Sequence, residues 1–180
     1  KESWDAYTKT YRWATHYGQE HLVFPPLFGH QYSHVWIDFR GIQDDYMRAK
    51  GIDYFENSRR ASYAQRAYAI ANPEGWAGYD ADVWGLTACD GPADVRREFG
   101  GRMRRFISYA GRGLGLHDDG TIAPYGAGTS IAFTPEIVIR PWPLVNQRRH
   151  GSESERMAST RHRPPAASRG MATRRNDDAG

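Results

Sequence analysis

The strongest constraint on the fold is a helical pattern between Asp53 and Asn72. Small and aromatic residues recur there at intervals of three and four, the spacing that places side chains on one face of an α-helix. Asn72 precedes Pro73, a pair that ends a helix. The pattern predicts one long helix whose small residues allow close packing against other helices. The positions on this face are Ala61, Ala64, Ala67, Tyr68 and Ala71.

Weaker patterns predict shorter helices elsewhere. Helical spacing of aromatic and small residues covers Glu2–Gln19, and Gly41 and Gly51 would close helices over His30–Arg40 and Asp44–Lys50. Pro135 would begin a last helix at its first turn, which the prolines of residues 140–143 would break. Residues 74–92 and 117–134 are rich in glycine and have no periodicity, so they are predicted to be long loops. Residues 103–109 alternate between polar and apolar types, and a short pair of strands stays possible there. The sum of these patterns predicts an all-α fold with long loops.

The composition changes after Val145. Residues 146–180 contain 8 arginines, 4 acidic residues and no aromatic residue, whereas residues 1–145 contain 16 basic and 17 acidic residues. Such a segment cannot bury enough apolar surface to offset its chain entropy, so residues 141–180 are predicted to form a disordered basic tail. Because no aromatic side chains are interleaved to stack on bases, we do not expect a nucleic-acid partner.

The cysteine count and the hydropathy of the chain exclude several kinds of site and structure. The single Cys89 excludes an intramolecular disulfide and a cysteine-based zinc site. No apolar run approaches the length that spans a bilayer, so we expect no membrane span. We expect no cofactor. The sequence does not determine the oligomeric state or the compartment. If the full-length protein carries an export signal, we expect it to be periplasmic or secreted.

Residues 28–92 combine aromatic rings with carboxylates, histidines and arginines at a density that a helical core does not need. A pyranose has apolar ring faces and a rim of hydroxyl groups, so this mixture favours a sugar-binding cleft. Hydrolysis of a glycosidic bond normally requires one carboxylic acid and one carboxylate. Composition leaves the choice open among the carboxylates in aromatic surroundings, which are Asp38, Asp45, Asp53, Glu56, Asp90 and Glu136.

His30, His34 and Asp38 are spaced by four residues and would share one helix face. Two histidines and a carboxylate can ligate zinc, but no Glu follows His30 to act as the base of a metalloprotease motif. The alternatives are a hydrogen-bonded polar cluster beneath a cleft and a row of substrate-binding groups. The neighbouring Trp36 and Arg40 favour the substrate-binding row, so no metal site is predicted.

Three further positions have a structural and a functional interpretation. Glu56 either belongs to a charge cluster at a helix start or projects into the cleft with Asn57. Asp90 either sets a turn in the Asp-Gly-Pro sequence or contacts a sugar. Trp84 either stacks on a sugar or anchors the core. Sequence reasoning leaves these alternatives open.

Four sequence blocks resemble the bacterial glucoamylase-like (glycoamylase) domain family. They occur in the family's order and cover most of the chain between Trp4 and Ile139. The blocks are PLFGHQYSHVWIDFRG at 26–41, DYFENSRRA at 53–61, VWGLTACDGP at 83–92 and DDGTIAP at 118–124. The resemblance implies an (α/α)6 barrel and activity on glucans, with relatives that include β-1,2-glucanases and the corresponding region of cyclic β-1,2-glucan synthases.

The resemblance therefore predicts a glycoside hydrolase or transglycosylase that acts on a β-linked glucan, β-1,2 above all, through carboxylate acid/base chemistry. The predicted catalytic residues are Asp38, Glu56 and Asp90. Trp36, Tyr54 and Trp84 are predicted to stack on sugar rings. Hydrogen bonds to sugar hydroxyls are predicted from His30, Gln31, His34, Arg40 and Asn57.

Chain length adds a further expectation. A barrel of twelve helices needs well over about 200 residues, so residues 1–140 are predicted to be the C-terminal part of an (α/α)6 barrel. The resemblance implies an N-terminal half that holds additional acidic residues important for catalysis. Residues 141–180 are predicted to be non-native to the family. The alternative function is a non-catalytic carbohydrate-binding or inactive truncated fragment.

Overall fold

A long helix, α3 (Tyr54–Ala71), organises the computed structural model, which describes residues 2–139. The Asp53 carboxylate accepts a hydrogen bond from the Glu56 backbone N–H at 2.7 Å and so caps the first turn. Asn72 ends the helix in the left-handed conformation with φ of 43°. The predicted helix over residues 53–72 is confirmed.

The remaining helices are short. Asp44 caps α2 by accepting from the Met47 N–H at 2.7 Å, and Gly51 ends it with φ of 70°, which confirms the predicted helix over 44–50. These helices are α1 (Glu2–Thr8), α2 (Asp45–Lys50), α4 (Pro124–Thr129) and α5 (Pro135–Val138). Single 3₁₀ turns occur at Leu27–His30, Tyr32–Val35 and Ser130–Ala132.

Three two-stranded antiparallel sheets accompany these helices. The all-α prediction, framed as the C-terminal part of an (α/α)6 barrel, is therefore wrong for the described residues, in which helices and strands are mixed. The pairs are β1 (Trp13–His16) with β2 (Gln19–Leu22), β3 (Ala88–Asp90) with β6 (Tyr109–Gly111), and β4 (Val95–Phe99) with β5 (Arg102–Phe106).

Tight turns explain why strands replace predicted helix. Tyr17 and Gly18 both have positive φ, 51° and 77°, and they join β1 to β2 as a two-residue hairpin loop. The helix predicted over 2–19 therefore stops at Thr8. Gly100 and Gly101, with φ of 60° and 73°, turn the chain in the same way between β4 and β5.

The segment predicted as a helix over 30–40 is also different. It forms the Tyr32–Val35 3₁₀ turn and then irregular chain, so His30, His34 and Asp38 do not share one helix face. The loop predicted over 117–134 contains α4 and a 3₁₀ turn. The region near residue 103, where a strand pair was left open, contains the two strands β5 and β6, but they pair with β4 and β3 and not with each other.

The apolar core lies along α3. Leu27, Trp84 and Leu86 are almost fully buried and pack with Tyr68 and Trp76 in one cluster. Burial of such side chains stabilises the folded state by about 1.5–3 kcal/mol each.

Residues 140–180 lie outside the described part of the chain, and with them the predicted break at 140–143 and the predicted tail. Among residues 2–139, no helix is long and apolar enough to cross a membrane.

Candidate functional site

A cleft of about 840 Å³ opens beside the first turns of α3. Its walls come from α1, the end of β2, the 3₁₀ turns that follow and the start of α3. Aromatic rings in it belong to Trp4, Tyr7, Tyr11, Phe24, Phe39 and Tyr54. Polar side chains in it include His30, Ser33, His34, Asn57 and Ser58. The cleft thus combines flat apolar faces with hydrogen-bonding groups.

Tyr54 is held in the cleft wall by two hydrogen bonds. Its hydroxyl donates to the Asp44 carboxylate at 2.7 Å and lies 3.2 Å from the Tyr11 hydroxyl. Asp44 also accepts from the Trp4 indole N–H at 3.0 Å, so one carboxylate connects α1, the cap of α2 and α3. Burial, together with the bonds to Tyr11 and Asp44, raises the pKa of Tyr54 above its usual range. Tyr54 is therefore a neutral group at physiological pH.

Asn57 and His30 form the back of the cleft. The Asn57 amide oxygen accepts from the Leu22 N–H at 2.7 Å, and its amide nitrogen lies 3.4 Å from His30 Nδ1. His30 Nε2 lies 3.1 Å from the Phe24 carbonyl and donates to it in the matching tautomer. Burial, and then the neighbouring His21, lowers the pKa of His30 to about 4. The back wall is consequently uncharged.

His34 lies between aromatic rings at the cleft. Its ring centroid is 4.7 Å from Phe39 and 4.6 Å from Phe133, and its Nε2 lies 3.0 Å from the Ser58 hydroxyl. Desolvation lowers the pKa of His34, while the Asp38 charge opposes that shift. Within residues 2–139, no group of three or more His, Cys, Asp or Glu side chains is arranged to hold a metal ion.

The three predicted catalytic carboxylates occupy different places. Asp38 is exposed and accepts from the Arg40 N–H at 3.1 Å and from its guanidinium at 3.0 Å, which lowers the pKa of Asp38. Asp38 is close enough to His34 for their charges to interact. Glu56 forms an ion pair at 2.9 Å with Arg60, one turn further along the same helix. Asp90 is exposed at the end of β3, away from the cleft walls.

Four other predicted binding residues lie outside the cleft lining. Gln31 is buried, donates to the Gly126 carbonyl at 3.0 Å and accepts from the Thr129 hydroxyl at 2.8 Å, so both ends of its amide have structural partners. Trp84 is 1% exposed and lies in the core. Trp36 is 78% exposed, and the Arg40 guanidinium stacks on a phenylalanine ring rather than on the cleft.

The structure therefore brings four predicted residues together in the cleft: His30, His34, Tyr54 and Asn57. Sequence reasoning missed Trp4, Tyr7, Tyr11 and the supporting Asp44. Their signal was the aromatic spacing near the N-terminus, which we interpreted as the stripe of one helix over residues 2–19.

A second carboxylate arrangement was also missed. Asp118 accepts hydrogen bonds from the hydroxyls of Tyr68 and Tyr79, both at 2.6 Å, near the other end of α3. Next to it, Asp119 pairs with the fully buried Arg112 at 2.8 Å. Arg112 also donates to the carbonyls of Ile107 and Cys89, so these charges stabilise the β3–β6 sheet. The DDGT sequence was the available signal.

Comparison with known proteins identifies the family. The model of the Glycoamylase family, described as "Putative glucoamylase", matches residues 1–154. This chain belongs to the Glycoamylase family. The resemblance inferred from the four sequence blocks is thereby confirmed.

Several relatives of this Glycoamylase chain have named activities or solved structures. The exo β-1,2-glucooligosaccharide sophorohydrolase of Parabacteroides distasonis is 32% identical over 128 residues, which cover 71% of this chain and 15% of that protein. A glucoamylase-like crystal structure from Bacteroides caccae has a TM-score of 0.61 and 29% identity over 76% of this chain. The endo-β-1,2-glucanase of Chitinophaga pinensis, in complex with sophorotriose and glucose, has a TM-score of 0.56 and 28% identity over 72%. This chain covers 30% and 29% of those two structures.

Proposed function

We propose that this chain supplies the substrate-binding cleft of a glycoside hydrolase that cleaves a β-linked glucan, with β-1,2 as the linkage. The observation that carries the proposal is the aromatic and polar cleft at the start of α3, in a member of the Glycoamylase family. Two relatives are named for activity on β-1,2-linked glucans, which supports the linkage. The chain covers less than a third of these relatives, so the activity is proposed for the protein to which the cleft belongs.

The chemistry of the cleft suits a neutral sugar. The rings of Tyr7, Tyr11 and Tyr54 offer apolar faces, and the Asn57 and Ser58 side chains offer hydrogen bonds. His30 is held neutral by burial, so the back wall has no charge that a neutral glucan would have to desolvate.

Asp38 is the predicted carboxylate that fits best beside this cleft. Its lowered pKa keeps it ionised, which suits a base, a nucleophile or a charge-stabilising group rather than a general acid. Within residues 2–139, the side chains that line the cleft include no carboxylate. Glu56 and Asp90 stay predictions as the second carboxylate of the pair that glycoside hydrolysis requires.

Release of reducing ends from β-1,2-glucan tests the proposal, with β-1,3- and β-1,4-glucans as parallel substrates. We expect release from the β-1,2-linked polymer alone. If the protein to which the cleft belongs binds β-1,2-glucooligosaccharides without releasing reducing ends, that result would contradict hydrolysis and favour a binding role. Equal release from all three polymers would contradict the linkage.

Asp45 offers a matched control for Asp38. Both are exposed and pair with a nearby arginine, Asp45 with Arg48 at 2.7 Å. We expect Asp38→Asn to lower kcat by at least about a hundredfold, as removal of a general base does, and Asp45→Asn to leave kcat unchanged. Equal activity of the two variants would remove Asp38 from the mechanism.

A further inference from the structure

The Asp44 carboxylate fixes the direction of hydrogen bonds in the cleft wall. Its Oδ1 accepts from the Met47 backbone N–H at 2.7 Å, and its Oδ2 accepts from the Trp4 indole N–H at 3.0 Å. An ionised carboxylate only accepts hydrogen bonds, so the Tyr54 hydroxyl, 2.7 Å from Oδ2, donates to it. The single proton of the Tyr54 hydroxyl is therefore used within the protein.

The bond between Tyr54 and Tyr11 takes its direction from this arrangement. The two hydroxyl oxygens are 3.2 Å apart, and either could donate on distance alone. Burial raises the pKa of both tyrosines, so each has one hydroxyl proton at neutral pH. Because Tyr54 donates its proton to Asp44, Tyr11 donates its own to Tyr54. The Tyr11 hydroxyl makes no other hydrogen bond within residues 2–139, so it has no proton left for a ligand and can only accept.

Ser58, which also lines the cleft, repeats the arrangement. Its hydroxyl donates to the Tyr54 backbone carbonyl at 3.1 Å, a group that only accepts. The proton of the Ser58 hydroxyl is thus used, so His34 Nε2, 3.0 Å away, donates to the Ser58 oxygen. Two hydroxyls of the cleft lining therefore face a ligand as acceptors.

We propose that Asp44 is a positioning residue that fixes Tyr11 as an acceptor, so that the cleft selects a sugar hydroxyl that donates a hydrogen bond at this position. Asp44 acts through Tyr54 and Tyr11, which line the cleft, whereas Asp44 lies behind them. A sugar hydroxyl can donate or accept, but beside an oxygen that only accepts it has to donate. The proposal rests on the proposed function, because it takes the ligand of the cleft to be a glucan.

Asp44→Asn reverses the direction and keeps the helix cap. Asn and Asp are equally good N-cap residues, and the amide oxygen can accept from the Met47 N–H. The amide nitrogen then donates to the Tyr54 hydroxyl, Tyr54 donates to Tyr11, and the Tyr11 proton turns to the cleft. The Trp4 indole is 48% exposed and can donate to solvent instead. The variant should therefore fold, which circular dichroism checks.

Calorimetry with sophorotriose and its monodeoxyfluoro analogues, one for each hydroxyl, measures the selectivity of the protein to which the cleft belongs. Fluorine cannot donate a hydrogen bond. We expect the unaltered protein to bind at least one analogue roughly tenfold more weakly than sophorotriose, the loss of about one hydrogen bond. For that analogue, the loss should fall below about threefold in Asp44→Asn, and equally in Tyr11→Phe, which has no hydroxyl to accept.

Asp53→Asn is the matched control. Asp53 also caps a helix with one oxygen, through the Glu56 N–H, and its other oxygen accepts from the Gly41 N–H at 2.8 Å, away from the cleft lining. This variant should retain the roughly tenfold loss. An equal loss in Asp44→Asn and Asp53→Asn, or no loss with any analogue, would overturn the selectivity while sophorotriose binding still supported the proposed function.

A neutron structure of the deuterated protein tests the direction without any sugar. We expect the Tyr54 deuterium on the line to Asp44 and the Tyr11 deuterium on the line to Tyr54. A Tyr11 deuterium that points into the cleft would overturn the role of Asp44, whether or not a sugar binds. If sophorotriose did not bind to the unaltered protein, that result would contradict the proposed function and the selectivity for a glucan hydroxyl together.

Discussion

The two ends of α3 bury polar groups in opposite ways. At the N-terminal end, Tyr54, Asn57 and His30 are neutral and line an open cleft. At the C-terminal end, Asp119 is buried against its ion-pair partner Arg112, and the half-buried Asp118 accepts hydrogen bonds from two tyrosine hydroxyls. The first set leaves space for a ligand, whereas the second set already has its partners within the chain.

This difference separates a site from a structural cluster better than residue type does. A buried ion pair with all its hydrogen bonds satisfied has no capacity left for substrate, and loss of one partner leaves an uncompensated charge. A neutral amide or imidazole beside a cavity costs less to bury and can exchange partners when a sugar enters. We therefore expect substitutions at the enclosed end to act on stability and those at the open end to act on binding.

The largest effect is expected at Asp119. Asp119→Ala leaves Arg112 buried without its counter-charge and should lower the free energy of unfolding by about 3–5 kcal/mol. Urea denaturation followed by circular dichroism measures it. Asp90→Ala, at an exposed carboxylate on strand β3 of the same region, is the control and should leave the midpoint unchanged. A loss below about 1 kcal/mol for Asp119→Ala would show that the enclosed end is not a stabilising cluster.

The stability of the protein should depend on pH through His30, the neutral histidine at the N-terminal end of α3. The pKa of His30 is about 4 in the folded protein, below its ordinary value of 6.5, so the unfolded chain takes up the proton more readily. Stability should therefore fall by about 3 kcal/mol as the pH drops from 6.5 to 4, and level off above 6.5. Urea midpoints at a series of pH values measure this dependence.

His30→Asn is expected to reduce this slope, and some slope should persist because the pKa of the buried His21 is lowered as well. Exposed His117 provides the control, and His117→Gln should retain the full slope. The pKa of Asp119 is lowered, so its contribution is lost only at still lower pH, outside the His30 window. An unchanged slope in His30→Asn would contradict the neutral back wall.

The smallest effect is expected at the Tyr54 hydroxyl. Tyr54→Phe removes the bonds to Asp44 and Tyr11 and should cost about 1 kcal/mol of stability. It should also weaken binding of β-1,2-glucooligosaccharides about tenfold, measured by calorimetry, because the cleft wall loses a fixed hydroxyl. Tyr63→Phe removes a hydroxyl that bonds Glu136 on the outer face of α3, and binding by this variant should be unchanged. If Tyr54→Phe and Tyr63→Phe weakened binding equally, the loss would not depend on a hydroxyl in the cleft wall.

The sequence patterns correctly predicted the helices whose caps and apolar spacing lie within one short stretch of chain. The helix over 53–72 has its apolar spacing, its capping Asp53 and its terminating Asn72 within one stretch of chain. The short helix over 44–50 has Asp44 and Gly51 at its ends in the same way. Prediction failed at residues 2–19, where aromatic spacing fits a helix but the left-handed Tyr17 and Gly18 produce a hairpin.

The site was predicted only in part for the same reason. Tyr54 and Asn57 lie on the well-predicted helix and reach the cleft. Trp84 and Gln31 have the residue types of a sugar site, yet the fold places them in the core and at α4. Whether an aromatic or amide side chain faces a cavity depends on contacts between distant segments, such as Gln31 with Gly126.

The sequence by itself determined the family and the long α3 helix, because motif order and helical periodicity are local properties of the chain. Tertiary structure alone decided that Tyr11 and Asp44 support the cleft, that Asp119 is buried with Arg112, and that arginines face each other in the β4–β5 hairpin. Those outcomes rest on strand register and on packing between residues far apart in sequence, which periodicity does not encode.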